Sequence, residues 1–240
     1  MKSSTLKTKG FQFKQFTIQD GNSGMPVSTD GVLLGAWAKF YRTEHLLDIG
    51  TGTGLLTLMS AQRFSTSNIL AIDINQEAIK DATRNVSLSS WSDRIKVKQQ
   101  DVLSLTVPEG FDAIICNPPY FNSGERASRE QRAIARHSIT LSHQELLDKC
   151  SQLLRSHGQA CFVLPTTEGQ AFIDYALRTG WFLARRCDVR TTDKKPATRV
   201  LFTLQKSACS TERQELVIHD GTSGYSKSFI QLTQDFYLKM

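Results

Sequence analysis

A short strand, a glycine turn and a helix follow one another without a break between residues 45 and 61. No other stretch narrows the choice of fold as much. His45-Leu46-Leu47-Asp48-Ile49 predicts the strand, Gly50-Thr51-Gly52-Thr53-Gly54 the turn, and Leu55-Leu56-Thr57-Leu58-Met59-Ser60-Ala61 the helix. This order opens a doubly wound α/β sheet, whose ligands bind outside the carboxyl ends of the strands. Glycine lets the backbone pass close to a ligand with no Cβ in the way. The spacing is Gly-x-Gly-x-Gly. The third glycine of the dinucleotide fingerprint would fall on Leu55 counted from Gly50, or on Thr57 counted from Gly52, so a nicotinamide dehydrogenase is disfavoured. Asp48 puts a carboxylate where pyrophosphate would need room, which fits a cationic amino-acid ligand better. Alone, such a turn could equally be structural.

Further strand ends extend the pattern. Asn68-Ile69-Leu70-Ala71-Ile72 runs into Asp73, an acid about 20 residues past the first glycine and placed to hold ribose hydroxyls. Ile95-Lys96-Val97-Lys98 leads to Asp101 and Val102. There Asp101 could accept from an adenine amino group with Val102 packed nearby, or serve only as a turn or N-cap residue. Phe111-Asp112-Ala113-Ile114-Ile115-Cys116 is a strand that ends in Asn117-Pro118-Pro119-Tyr120. The prolines have fixed φ and no N–H, and the residue before each is kept from the α region. The Asn117 amide oxygen and the Pro118 carbonyl can then serve as two acceptors beside the flat Tyr120 ring. A planar substrate carrying an NH2 group suits that device. A proline-rich turn can also be ordinary loop chemistry; what separates the readings is that Asp48, the glycines, Asp73, Asp101 and Asn117 end successive strands.

The rest of the chain reads as one domain over 1–240, with a basic segment at 1–24 and a docked extension at 207–240. Phe11-Gln12-Phe13-Lys14-Gln15-Phe16-Thr17-Ile18 alternates as a short strand. Ser28, Thr29 and Asp30 can cap a helix before the glycine turn, contact the methionine part of a cofactor, or do both. A helix over 141–154 starts with a Ser142/Glu145 capping box and is stopped by Gly158. Gln159–Leu164 forms a strand, 168–179 a helix stopped at Gly180, and 181–183 with 199–204 an antiparallel pair at one edge, around a polar 191–196 loop.

Composition sets the surroundings. With 240 residues, 40% of them hydrophobic, the chain can bury a full core. No stretch approaches a membrane span and the N-terminus lacks the apolar core of a secretory signal. Five scattered cysteines without metal-ligand spacing point to a reducing cytoplasm and no structural metal. The net charge of +6 is unevenly spread. Lys7, Lys9 and Lys14 precede the first acid; Arg126, Arg129, Arg132, Arg136 and His137 follow the Asn-Pro-Pro-Tyr turn; a third basic run spans 185–199. Charge runs are commonly solvated faces, but one beside a reactive turn suits a polyanionic substrate.

The Asn-Pro-Pro-Tyr turn resembles that of amino-group methyltransferases that use S-adenosylmethionine, and the strand-end series is similar to the Rossmann-like class I methyltransferase pattern. Over its whole length the chain resembles the bacterial tRNA methyltransferases that modify N6 of the adenine next to the anticodon of valine tRNA. The residues that carry this are Thr29-Asp30-Gly31, the 48–54 turn, Asn117-Pro118-Pro119-Tyr120-Phe121, Arg132-Ala133-Ile134-Ala135-Arg136-His137, Tyr225-Ser226 and Asp235-Phe236-Tyr237. The first three are class-wide; the Arg132–His137 segment and the ending made by Tyr225-Ser226 and Asp235-Phe236-Tyr237 are the more specific. The resemblance implies a mostly parallel seven-stranded sheet with an antiparallel edge strand and helices on both faces. It implies S-adenosyl-L-methionine held by Ser28, Thr29, Asp30, Asp48, Gly50, Gly52, Gly54, Asp73, Asp101, Val102 and Asn117. Asn117, Pro118 and Tyr120 would be catalytic. Pro119, Phe121, Arg126, Arg129, Arg132, Arg136, His137, Lys7, Lys9 and Lys14 would meet tRNA, with Arg136 and His137 either on RNA or bracing the loop. Residue chemistry by itself reaches only an amino group on a planar substrate. A glutamine side-chain methyltransferase, a DNA adenine methyltransferase (for which no target-recognition region is visible) and a non-catalytic RNA-binding module stay open.

Overall fold

The computed structural model describes residues 10–19, 27–119, 141–222 and 224–239. The alternating N-terminal segment is a hairpin rather than one strand: β1 (Phe11–Gln12) pairs antiparallel with β2 (Thr17–Ile18). Helix α1 (Thr29–Trp37) precedes β3 (His45–Ile49), the glycine turn and α2 (Leu55–Arg63). Next come β4 (Asn68–Asp73), α3 (Gln76–Ser87), β5 (Ile95–Gln99) and β6 (Phe111–Cys116). After 120–140 the chain continues through α4 (His143–Leu153), β7 (Leu154–Pro165), α5 (Thr166–Arg178), β8 (Phe182–Arg190), β9 (Ala197–Gln205), β10 (Glu212–Val217) and α6 (Lys227–Thr233).

Among the described residues the main sheet has eight strands, not seven, in the order β10-β8-β9-β7-β6-β3-β4-β5. The antiparallel strand is not at an edge. β9 lies between β7 and β8, antiparallel to both, and β10 pairs parallel with β8 as the outer strand. The extra strand comes from residues 212–217, so the 207–240 segment contributes to the sheet itself. Strand β6 is buried at all six positions, as a central strand covered on both faces must be. Neighbours along a strand feed opposite cores. Leu46, Ala113 and Ile115 pack with α1, α2 and α6 on one face, and Leu47, Ile114 and Cys116 pack with α4 and α5 on the other.

Local chemistry explains most boundaries. Ser142 and Glu145 form the expected capping box of α4, and Gly180, at φ +87°, follows α5. Gly158 does not stop α4. The helix ends at Leu153, and Leu154 already begins β7. A Cβ on Gly158 would stand 2.8 Å from the Leu154 side chain and 3.0 Å from the Phe111 carbonyl, so glycine there admits the close approach of β6 and β7. Helix α3 carries no sequence expectation because its buried face is Ala78, Asp81, Ala82, Asn85 and Val86, with little bulk. Asn75 starts it by accepting from the Glu77 amide at 2.8 Å. At the C-terminus, Phe229 and Phe236 are each 2% exposed, each contributing about 1.5–3 kcal/mol by burial. Phe13 bridges to Tyr237, which fastens the hairpin to the chain end.

Candidate active site

The strand registers assemble the site. Ile49 pairs with Cys116 on one side and Ile72 on the other, and Asp73 pairs with Gln99. One residue further on, Asn117, Gly50 and Asp73 stand side by side at the carboxyl edge. With strands about 4.8 Å apart, Asn117 and Asp73 are about 10 Å from each other. The chain leaves β3 toward β4 and β5, then returns to β6 on its other side. This is the switch point, where a doubly wound sheet opens a crevice.

The glycine turn is held under that crevice. Gly50 and Thr51 both donate to the Ile72 carbonyl at 2.9 Å. The Gly52 amide donates to Asp73 Oδ2 at 3.0 Å, and Asn75 N donates to Asp73 Oδ1 at 2.9 Å. Gly50, Gly52 and Gly54 have φ of +71°, +56° and +87°, a region costly for other residues. A Cβ on Gly50 would meet nothing within 4 Å among the described residues, which leave the space above it open.

Asp48 is fully buried. Its Oδ2 accepts from the Thr51 and Thr57 hydroxyls at 2.7 and 2.6 Å. Its Oδ1 has no hydrogen-bond partner among the described residues. Burial pushes its pKa up to about 6, with the charge of Asp73 adding and the two threonines opposing. An unpartnered buried carboxylate oxygen below an open glycine cradle fits a cationic amino-acid group.

Asn117 is half-buried, Pro118 buried and Pro119 exposed. Pro119 is anchored from α4: His143 Nε2 lies 3.2 Å from its carbonyl. A carbonyl only accepts, so Nε2 carries the proton in this contact. The His143 ring also lies 5.5 Å from that of Phe172.

Residues 30–171 match the family model described as Methyltransferase small domain. The chain is 55% identical, over 100% of both sequences, to a protein of Vibrio campbellii named tRNA1(Val) (adenine(37)-N6)-methyltransferase. It is 48% identical to a protein of Aliivibrio fischeri with the same name, over 97% of this chain and 99% of that one. The chain belongs to the tRNA1(Val) (adenine(37)-N6)-methyltransferase family. The fold is also that of a solved structure titled a predicted O-methyltransferase from Agrobacterium tumefaciens, with a TM-score of 0.67 at 20% identity, covering 86% of this chain and 96% of that one.

The other expected residues of this family member fall into three groups. Ser28, Thr29 and Asp30 begin α1 over the start of α2, where a Cβ on Gly31 would stand 2.9 Å from Leu55. Ser28 caps the helix through the Gly31 amide at 3.0 Å, and Asp30 accepts from Arg199 at 2.7 Å. Asp101 reaches the same edge beyond β5 and caps a short turn through the Leu103 amide at 2.9 Å, while Val102 points into the core at 5% exposure. Lys14 is not brought to the site. Its ammonium donates to the Gln234 carbonyl at 2.6 Å, near Gln62 at the far end of α2, about 12 Å along the helix from Gly54. The hairpin holds it there by pairing with the C-terminal residues. Tyr120, Phe121, Arg126, Arg129, Arg132, Arg136, His137, Lys7 and Lys9 lie outside the described residues.

Sequence reading passed over several neighbours. Thr51 and Thr57 hold Asp48, and only their spacing within the turn and helix could have flagged them. Ile74 and Leu103 are 61% and 36% exposed beside Asp73 and Asp101; an apolar residue directly after a strand-end acid was the available signal. His143 and Arg199 had none, since both arrive from distant segments.

Proposed function

We propose that the chain transfers a methyl group to N6 of adenine 37 in valine tRNA through residues at this switch point. S-adenosylmethionine is the methyl donor, and when bound it supplies an electrophilic methyl on a sulfonium centre. The observation that carries the reading is the adjacency of Asn117 to the open glycine turn above the unpartnered Asp48 oxygen. Asp48 would hold the cofactor's cationic amino-acid end, Asp73 its ribose hydroxyls and Asp101 its adenine amino group. Ile74 and Leu103 would cover the faces of that ring. The order along the edge matches the order of groups along the cofactor.

Adenine N6 is a weak nucleophile because its lone pair is delocalised into the ring. Asn117 Oδ1 and the Pro118 carbonyl accept from its two hydrogens and turn the lone pair toward the crevice. Orientation of this kind accounts for a large part of the gain in two-substrate reactions. The same acceptors stabilise positive charge growing on the nitrogen. Asn117 cannot act as a base, so the surplus proton leaves to solvent. Tyr120 would stack on the base, which costs little to extrude from an unpaired anticodon loop. None of the described helices is long and apolar enough to cross a membrane, and a tRNA substrate with free cysteines supports action in the cytoplasm. Incubation with methyl-labelled S-adenosylmethionine and separate pools of RNA, DNA and protein tests the reading. N6-methyladenine in digested valine tRNA is expected; label confined to DNA or to glutamine in protein would overturn it.

A further inference from the structure

Six basic residues crowd the 185–199 segment, and they divide into two kinds. Four arginines each hold a carboxylate: Arg185 with Glu212 at 3.1 Å, Arg186 with Asp188 at 2.8 Å, Arg190 with Glu215 at 3.4 Å and Arg199 with Asp30 at 2.7 Å. Lys194 and Lys195 are exposed, and among the described residues neither ammonium has a partner. Both sit in the 191–196 turn between β8 and β9. Because β8 runs parallel to β7, this turn emerges at the same edge of the sheet as Asn117. It lies three strands away, about 14 Å.

The turn does not stand alone. The Ile218 and His219 amides donate to the Arg190 and Thr191 carbonyls at 2.9 Å, tying the loop after β10 to the end of β8. In that loop the Tyr225 ring is stacked between His219 at 5.2 Å and the buried Phe229 at 4.8 Å. Tyr225 remains 45% exposed. Exposed Lys227 follows in the first turn of α6. The nearby Asp220 carboxylate is spent on the Thr222 amide and hydroxyl at 2.9 and 2.7 Å. Among the described residues the result is three ammonium groups without a partner, in segments tied by backbone bonds to one another and to the braced aromatic pair.

We propose that Lys194, Lys195 and Lys227, together with His219 and Tyr225, hold the phosphate backbone of the RNA whose base enters at Asn117. The proposal rests on the RNA substrate argued above. A phosphate strand presents charges at regular short intervals, so a base at Asn117 brings phosphates along the same edge. Unpaired lysines can neutralise them with release of counterions; the paired arginines cannot do so without breaking an ion pair.

The test is tRNA binding to the full-length protein, measured directly by filter retention across a potassium chloride series. The variants are K194Q/K195Q, K227Q and, as a control on the exposed face of α3, K80Q. Each lost phosphate contact lowers the slope of log affinity against log salt by about 0.7–0.9. The double variant should lose about 1.4–1.8 in slope, and its affinity near 0.1 M salt should fall by on the order of tenfold or more. K227Q should lose about half as much slope and K80Q none, with S-adenosylmethionine affinity unchanged in all three. Unchanged slopes in K194Q/K195Q and K227Q overturn the surface, as does a wild-type protein that does not retain tRNA at low salt. Because binding is read without catalysis, a protein that holds tRNA here yet transfers no methyl group would refute the proposed function and leave the surface standing.

Discussion

Two buried aspartates sit at opposite ends of the same sheet, and their surroundings could hardly differ more. Asp48 ends β3 at the carboxyl edge and Asp112 begins β6 at the amino edge, at 0% and 2% exposure. Asp112 accepts from the His45 amide at 2.9 Å, from Arg155 at 2.7 Å and from His157 at 2.9 Å. Burial alone would raise its pKa, but the bonds from His157, His45 and Arg155 outweigh it and hold the carboxyl below its usual value. Among the described residues Asp48 accepts from two hydroxyls, both on one oxygen, and burial wins. The saturated carboxylate ties β3, β6 and β7 together and needs nothing more. The unsaturated one is relieved either by a proton or by a cationic partner. The amino edge closes its polar valences on the protein itself, and the carboxyl edge leaves one open among the described residues.

The largest effect expected at the open edge is on chemistry. Asn117→Ala should lower the single-turnover rate by about 10²–10³, the scale for losing one preorganised group on a developing charge, with the melting temperature and cofactor affinity nearly unchanged. Single-turnover rates within a few-fold of wild type would show that Asn117 does not aim the amino group.

Asp48→Asn attacks the comparison itself. A carboxyl raised from 3.8 to about 6 in the folded protein carries stability that is fully present below pH 4 and is lost as pH rises through about 6. The loss approaches about 3 kcal/mol. Denaturant titrations from pH 4 to 8 should show that decline in the apo wild type and not in the variant. The variant should therefore be the more stable protein near pH 7.5. It should also bind S-adenosylmethionine more weakly, and the wild type's affinity should rise with pH through about 6 as the carboxylate ionises. A variant less stable at neutral pH that binds the cofactor normally would mean that Asp48 is structural, like Asp112.

Asp112→Ala should do the reverse. Losing charge-assisted bonds costs about 1.5–3 kcal/mol, lowering the melting temperature by several degrees while cofactor affinity by calorimetry stays the same. Its depressed pKa also gives the opposite pH sign, with stability present above about 4 and lost as pH falls through the folded value. The smallest effect belongs to His143→Ala, which removes one bond to Pro119, worth about 0.5–1.5 kcal/mol. A modest fall in transfer rate, partly rescued by His143→Gln, fits a positioning role; no fall at all would leave the proline turn to hold itself.

The carboxyl edge was also the legible part of the sequence, and for a physical reason. Strand, turn and helix between 45 and 61 are set by local periodicity and by glycines that must take positive φ, and both are written in consecutive residues. The ends of β4, β5 and β6 follow in the same way. The amino edge left no local trace, because Asp112 meets Arg155 and His157 only after α4 has returned the chain to the sheet. The edge order was missed for a related reason. An antiparallel pair at 182–205 is a local event, but inserting β9 between β7 and β8 and adding β10 outside depends on long-range pairing.

From sequence alone came the α/β sheet, the strand-end acids, the glycine turn and the end of β6 at Asn117, because each is fixed by residues within one turn or strand of each other. Tertiary structure decided which polar groups are spent. Among the described residues it paired four arginines and left two lysines unpaired in the 185–199 run, it carried Lys14 to the far end of α2, and it saturated Asp112 while leaving an oxygen of Asp48 unpartnered. Partners come from distant segments, and the free energy of a charge depends on its partners and its burial rather than on its neighbours in the chain.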